Sequence, residues 1–163
     1  MPAPTVYLDT SVINFLFATD RPDLQAATLD FFKHLGQPPR YHLLISAFVV
    51  EELAQTADAH HRARLLQSIR DYPIELAPTT NNPAIYELAD SYLQSGALPA
   101  KKMFDALHVA YCVVERINYL ASWNYKHLAN VNRERRLTVI NLQAGFLHPL
   151  RITTPLDLID YDA

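Results

Sequence analysis

The sequence predicts a three-layer α/β/α domain with a central, mostly parallel sheet of four or five strands. Three observations carry this prediction. The 163 residues fit one ordinary domain, and half of them are apolar, which is enough for a packed core. Short β-prone runs also alternate with longer segments of helical spacing, a pattern typical of a parallel sheet covered by helices. We therefore predict a single domain over residues 1–163.

The strands are predicted from short apolar runs. The first run ends at Leu8 and is followed directly by Asp9. A later run, over 137–142, is read as the last clear strand of the sheet. The full set of predicted strands is 5–8, 42–45, 74–77, 119–121 and 137–142.

The helices are predicted from apolar spacing and from capping residues. Ser46 is placed to cap the helix that follows the second strand, and Asn82 precedes Pro83 as a cap precedes a first-turn proline. Gly96 and Pro99 end that later helix. Helical material begins near Thr10, and the remaining predicted helices are 23–35, 47–57, 61–71, 83–94, 102–117 and 125–131.

Composition excludes several classes of protein. The single Cys112 rules out a disulfide framework and a cysteine-rich zinc site. Three glycines are too few for a glycine-rich phosphate loop. The longest nearly apolar run, 43–50, is far shorter than the ~20 residues that cross a bilayer, and the first residues do not form a signal peptide. We expect a soluble, cytoplasmic protein with no membrane partner.

Charge is unevenly distributed along the chain. The formal net charge is −3, which argues against a generally basic nucleic-acid binder. Residues 100–136 nevertheless hold seven basic and three acidic residues, whereas the rest of the chain is acidic. This asymmetry favours one face suited to a polyanion. Solvated helix faces that serve solubility are the alternative explanation.

Four polar residues fall where an α/β sheet binds its ligands, beyond the carboxyl ends of the strands. Asp9 follows the first predicted strand, Glu52 lies in the second turn of the helix after the second strand, and Asn124 follows the fourth strand. Asp105 lies in the first turn of an otherwise apolar helix, where an unpaired buried charge is unfavourable. Each has a plainer alternative as a helix cap, a solvated charge or a turn residue. As a set they favour a site for Mg²⁺ or Mn²⁺.

These residues lie in segments that resemble a PIN domain, a family of metal-dependent ribonucleases that includes the toxins of many toxin–antitoxin pairs. The order and spacing of the segments cover nearly the whole chain. The segments are VYLDTSVI at 6–13, IS at 45–46 with EL at 52–53, FDALHVA at 104–110 and LASWN at 120–124.

The resemblance implies a specific site. Asp9, Glu52 and Asp105 match the three acidic residues of the family's metal site. The fourth family position is usually acidic, and here it is Asn124. The resemblance implies that the first three hold Mg²⁺ or Mn²⁺, while Asn124 orients a water or a carboxylate as a neutral group.

The function implied is that of an endoribonuclease which hydrolyses RNA phosphodiester bonds, as the toxin of a toxin–antitoxin pair. The partners would be the RNA substrate and a protein antitoxin, and many members of the family are dimers. Basic residues would bind the RNA backbone. The expected substrate-binding residues are Thr10, Ser11, Lys101, Lys102, His108 and Lys126.

Two alternatives stand beside this interpretation. A phosphatase of the haloacid dehalogenase type also places an aspartate at the end of its first strand. That motif needs a second aspartate two positions later, where this chain has Ser11. The other alternative is a catalytically weak or inactive PIN-like module that binds RNA or protein, which Asn124 and the acidic net charge favour.

Overall fold

A computed structural model describes residues 2–78 and 81–162. Within them, five strands form one sheet in the order β3-β2-β1-β4-β5, and every neighbouring pair is parallel. The strands are β1 (Thr5–Leu8), β2 (His42–Ile45), β3 (Ile74–Leu76), β4 (Tyr119–Ala121) and β5 (Arg151–Thr153). The predicted fold class is confirmed.

Helices connect the strands and cover the sheet. In the part of the chain that the structure describes they are α1 (Thr10–Phe15), α2 (Pro22–Lys33), α3 (Ala47–Ala54), α4 (Ala59–Asp71), α5 (Pro83–Gln94), α6 (Met103–Val114) and α7 (Val131–Gln143), with a 3-10 helix at Pro155–Leu158. The predicted caps are confirmed. The side chain of Ser46 accepts a hydrogen bond from the backbone N–H of Phe48, and that of Asn82 accepts from Ala84.

Strand β1 lies at the centre of the sheet and is covered on both faces. Val6, Tyr7 and Leu8 are all fully buried, although successive side chains of a strand point to opposite faces. A strand buried on both faces is the mark of a sheet with helix layers on either side. The residue after β1, Asp9, is therefore delivered to the middle of the sheet's carboxyl edge.

Two predicted elements are wrong. Residues 137–142, expected as a strand, belong to helix α7. The run Thr138-Val139-Ile140 favours a strand by propensity, but the buried positions of the helix are Leu137 and Asn141, four residues apart on one helical face. The fifth strand is β5 instead, which pairs with β4.

The helix predicted over 125–131 is also absent, because residues 125–130 form turns. The backbone carbonyl of Asn124 accepts from both Leu128 and Ala129, at 3.0 and 2.8 Å. Helix α7 starts only at Val131, where the side chain of Asn130 caps it. None of the helices described in residues 2–78 and 81–162 combines the length and the apolar character needed to span a membrane.

Candidate active site

The order in which the chain adds strands to the sheet reverses between β1 and β4. From β1 the chain proceeds outward through β2 to β3, then returns to β4 on the other side of β1 and continues to β5. Such a switch point opens a crevice at the carboxyl edge, where α/β proteins bind ligands. Asp9 follows β1, and Ser122, Trp123 and Asn124 follow β4. The topology thus brings the first and last of the predicted site residues to one crevice.

Asp9 is both a helix cap and a buried carboxylate. Its Oδ1 accepts from the Ser11 hydroxyl at 2.5 Å and from the Val12 backbone N–H at 3.3 Å, which caps helix α1. Only 3% of the residue is exposed. Burial raises the pKa of Asp9 to about 6, against the opposing effect of hydrogen bonds from the hydroxyls of Ser11 and Ser122. A carboxylate with this pKa ionises near neutral pH and gains from a nearby cation.

Glu52 projects from the second turn of α3 and is held through one oxygen. Its Oε1 accepts from the Nε2 of His108 at 2.9 Å and from the Thr10 hydroxyl. Burial alone would raise the pKa of Glu52, but the hydrogen bonds from His108 and Thr10 outweigh it and lower the pKa below its usual value. Glu52 is therefore ionised at neutral pH.

Asp105 lies in the first turn of α6, as predicted. Its Oδ2 accepts from the amide nitrogen of Asn124 at 3.3 Å. Burial raises the pKa of Asp105, and the negative charge of Glu52 raises it further, against the opposing effects of His108 and Lys102. A helix N-terminus would lower this pKa, so the raised value reflects chiefly the burial of the carboxyl group, with a smaller contribution from Glu52.

Asn124 uses both ends of its amide. The carbonyl Oδ1 accepts from the backbone N–H of His127 at 3.0 Å, and the nitrogen Nδ2 faces Asp105. The residue therefore closes the turn after β4 and donates to a carboxylate. The amide is a neutral donor at a position where a fourth carboxylate would repel Asp105.

The three carboxylates influence one another. The charge of Asp105 raises the pKa of Asp9, and that of Glu52 raises the pKa of Asp105. Three carboxylates with an amide beside them are a donor set of the kind that Mg²⁺ and Mn²⁺ prefer. By donor chemistry the residues fit a hard divalent cation. In their present arrangement, however, no three His, Cys, Asp or Glu side chains within residues 2–78 and 81–162 are placed to hold a metal ion between them.

The residues expected to bind substrate are of two kinds: exposed lysines, and side chains that hydrogen-bond within the site. Lys101, Lys102 and Lys126 are exposed, and the charge of Lys102 lowers the pKa values of both Glu52 and Asp105, which places it beside the acidic residues. The hydroxyls of Thr10 and Ser11 donate to Glu52 and Asp9. His108 is only 1% exposed and bonds through both ring nitrogens.

Sequence reasoning did not identify Tyr7, Ser46 or Ser122 as parts of the site's surroundings. The Tyr7 hydroxyl lies 2.6 Å from Ser46 Oγ and 2.6 Å from His108 Nδ1. Ser122 Oγ accepts from the backbone N–H of Asn124 at 2.9 Å. One sequence signal existed for Tyr7, since a tyrosine inside a fully buried strand needs a partner for its hydroxyl.

The parallel sheet carries acidic side chains beside its switch point, where α/β proteins bind their ligands. A comparison with family models matches the PIN domain over residues 6–134, a span that contains Asp9, Glu52, Asp105 and Asn124. The chain belongs to the PIN domain family. Members are generally nucleases that act on RNA or DNA and usually use divalent metals. No curated protein matches the chain significantly.

Proposed function

We propose that this protein is a metal-dependent endoribonuclease that hydrolyses RNA phosphodiester bonds with Mg²⁺ or Mn²⁺. The observation that supports the proposal is the electrostatic coupling of Asp105 to Asp9 and of Glu52 to Asp105 within a PIN domain. The resemblance to the family's toxins supports the further parts of the proposal, namely a protein antitoxin as partner, a homodimeric assembly and a cytoplasmic location.

In this mechanism the three carboxylates hold the cation, directly or through waters. A bound divalent cation supplies Lewis-acid chemistry, which polarises the scissile phosphate and activates a water molecule. Asn124 fixes the orientation of Asp105 by donating to its Oδ2, and Thr10 and Ser11 fix Glu52 and Asp9. No side chain is required as a nucleophile. Lys101, Lys102 and Lys126 contact the RNA backbone, so binding weakens as salt rises.

The test of the proposal is cleavage of a single-stranded RNA by the purified protein. Cleavage is expected with Mg²⁺ or Mn²⁺ and not in EDTA. Mn²⁺ at ~100 times its dissociation constant should also stabilise the fold by about 2.7 kcal/mol, measured by thermal melting. Glu52→Gln protein, prepared identically, controls for contaminating nucleases. The proposal would be refuted if the wild type showed no cleavage and no melting shift with Mn²⁺.

A second candidate function is an RNA- or protein-binding PIN module without catalysis. It is favoured by the neutral Asn124 at the fourth position and by the absence of a preformed three-ligand group in the described part of the chain. Such a module binds RNA with unchanged affinity in EDTA and shows no melting shift with Mn²⁺. A filter-binding assay beside the melting experiment separates the two candidates.

Replacing Asn124 with Asp is expected to tighten Mn²⁺ binding about tenfold, since a fourth charge near the cation adds on the order of 1.4 kcal/mol at partly screened distances. The same change should lower the melting temperature in EDTA, because the new carboxylate faces Asp105 without an N–H to donate. Isothermal calorimetry measures the affinity. The matched control is Asn130→Asp, which adds the same charge at the N-cap of α7. Equal Mn²⁺ affinity in wild type and Asn124→Asp would place residue 124 away from the cation.

A further inference from the structure

A continuous series of hydrogen bonds runs beneath the acidic residues. Tyr7 on β1 is fully buried, and its hydroxyl lies 2.6 Å from Ser46 Oγ and 2.6 Å from His108 Nδ1. The other nitrogen of His108, Nε2, lies 2.9 Å from Glu52 Oε1. Ser46 is the N-cap of α3, and Glu52 lies on the same helix. The series therefore leaves helix α3 at its cap, crosses the core and returns to the helix at Glu52.

For a neutral His108 ring, the direction of each hydrogen bond can be assigned from the carboxylate end of the series. An ionised carboxylate only accepts, so His108 donates from Nε2. In the neutral imidazole Nδ1 then accepts, and the Tyr7 hydroxyl donates to it. The Tyr7 oxygen accepts from Ser46, whose own oxygen accepts from the Phe48 backbone N–H at 3.2 Å. Each hydroxyl and the imidazole thus donate once and accept once, with no conflict along the series.

The series fixes one oxygen of Glu52 and not the other. His108 is held by packing as well as by hydrogen bonds, since its ring lies 5.5 Å from that of Tyr7 and 6.4 Å from that of Phe104, measured between centroids. Thr10 donates to the same oxygen that His108 does. Two donors therefore hold Oε1, and Oε2 is the oxygen that neither donor occupies.

We propose that Tyr7 and His108 are positioning residues that fix the orientation in which Glu52 offers Oε2 to a divalent cation. This inference rests on the proposed metal-dependent function. It assigns His108 to the support of a carboxylate, in place of the RNA contact expected from the sequence. Partners of this kind, behind a metal ligand, typically contribute 10–100-fold in metal affinity or activity.

The test begins with Tyr7→Phe, which removes one hydroxyl and keeps the ring. Mn²⁺ affinity, measured by calorimetry on the otherwise intact protein, is expected to fall at least about tenfold. The turnover number for RNA should fall in parallel, while KM changes less than about twofold, because the RNA contacts lie on other residues. A role in packing alone would leave the Mn²⁺ affinity unchanged.

The matched control is Tyr92→Phe. Tyr92 is also fully buried, and its hydroxyl also donates to a side chain, the Oδ1 of Asn141, but on α5 and α7 away from the acidic residues. Both substitutions remove a buried hydroxyl together with its hydrogen bonding, two bonds at Tyr7 and one at Tyr92, and both should lower the melting temperature. Only Tyr7→Phe should weaken Mn²⁺ binding.

Two substitutions of His108 repeat the test should Tyr7→Phe fail to fold. The side-chain amide of Gln lies about as far from the backbone as the Nε2 of His108, so it keeps an N–H that can donate to Glu52. The side chain of Asn is one methylene shorter, and its amide does not reach Glu52. His108→Gln should therefore retain more Mn²⁺ affinity than His108→Asn. The ¹⁵N shifts of the His108 ring in the wild type should show the hydrogen on Nε2.

The outcomes separate this inference from the proposed function. If the wild type binds Mn²⁺ and Tyr7→Phe binds it with the same affinity, the positioning role is overturned. The same holds if His108→Gln and His108→Asn lose equal Mn²⁺ affinity. Both results leave the nuclease proposal standing. A wild-type His108 ring with no hydrogen on Nε2 overturns the positioning role also. Absence of Mn²⁺ binding and cleavage in the wild type overturns both proposals.

Discussion

Replacing Asp105 with Asn is expected to raise the melting temperature of the metal-free protein. It should also reduce RNA cleavage at least ~100-fold, since even the partners behind a metal ligand contribute up to about 100-fold. The substitution keeps the shape of the side chain and still accepts from Asn124. It removes one charge from a group whose pKa is raised by burial and by Glu52. At an effective dielectric of about 20, the repulsion between two unit charges is about 4 kcal/mol at 4 Å and about 2 kcal/mol at 8 Å. Relief of part of this repulsion should raise the melting temperature by about 3–8 °C.

The measurement is thermal melting of wild type and Asp105→Asn, each in EDTA and with Mn²⁺. Mn²⁺ should stabilise only the wild type. Asp23→Asn is the matched control, since Asp23 lies in the first turn of α2, is exposed and has a pKa lowered chiefly by a backbone hydrogen bond. That variant should melt slightly lower, with or without Mn²⁺. If Asp105→Asn behaves like Asp23→Asn, Asp105 has only a structural role.

Replacing Asp9 with Asn is expected to stabilise the metal-free protein by about 3 kcal/mol at pH 7.5, and the gain should disappear at pH 4. The pKa of Asp9 is about 6 in the folded protein, mainly through burial, against 3.8 for an exposed aspartate. Asn is as good a helix cap as Asp, so the hydrogen bond from Val12 is kept. The substitution should also abolish Mn²⁺-dependent cleavage.

The sign follows from proton binding. Between about pH 4 and pH 6 the folded protein holds a proton on Asp9 that the unfolded chain has released. The free energy of unfolding of the wild type therefore falls as pH rises through this window. Asp9→Asn has no carboxyl group at this position to titrate, so its free energy of unfolding lacks this decrease. Urea unfolding of both proteins in EDTA at pH 4, 5, 6 and 7.5 measures the difference.

Glu52→Gln should show the opposite sign in the same experiment. Hydrogen bonds from His108 and Thr10 lower the pKa of Glu52 in spite of its burial, so the carboxylate stabilises the fold above its unfolded pKa and loses this effect as pH falls. The variant should therefore be less stable than wild type at pH 7.5. A free-energy difference between wild type and Asp9→Asn that does not vary with pH would contradict the buried, charge-bearing role of Asp9.

The sequence predicted the fold where local signals and burial agree. Strand β1 and helix α6 combine apolar runs with clear ends, and both lie where they were expected. The prediction failed where β-branched residues sit on an exposed helix face, as Val139 does in α7. Strand β5 has only three residues. It is stabilised by its pairing with β4, which cannot be predicted from the local sequence.

The candidate site was predictable in its acidic residues and not in their supports. Asp9 follows β1, Asp105 lies in the first turn of α6 and Glu52 lies in the second turn of α3. Their positions can therefore be deduced from strand and helix boundaries together with helical spacing. The hydrogen bond between Tyr7 and His108 joins residues 101 positions apart. Such a contact is decided by how β1 packs against α6, which spacing along the chain does not encode. The orientation of the Asn124 amide likewise follows from its neighbours in space.

The distance along the chain between the parts of the site also governs when the site comes into being. The Ser11 hydroxyl, which holds Asp9, accepts from the backbone N–H of Trp123, 112 positions away. During synthesis Asp9 and Glu52 emerge from the ribosome well before Asp105, and β4 must be made before it can pair with β1. Contacts of such high sequence separation form late in folding. A nascent chain or proteolytic fragment that ends before residue 105 therefore carries two isolated carboxylates and no assembled centre.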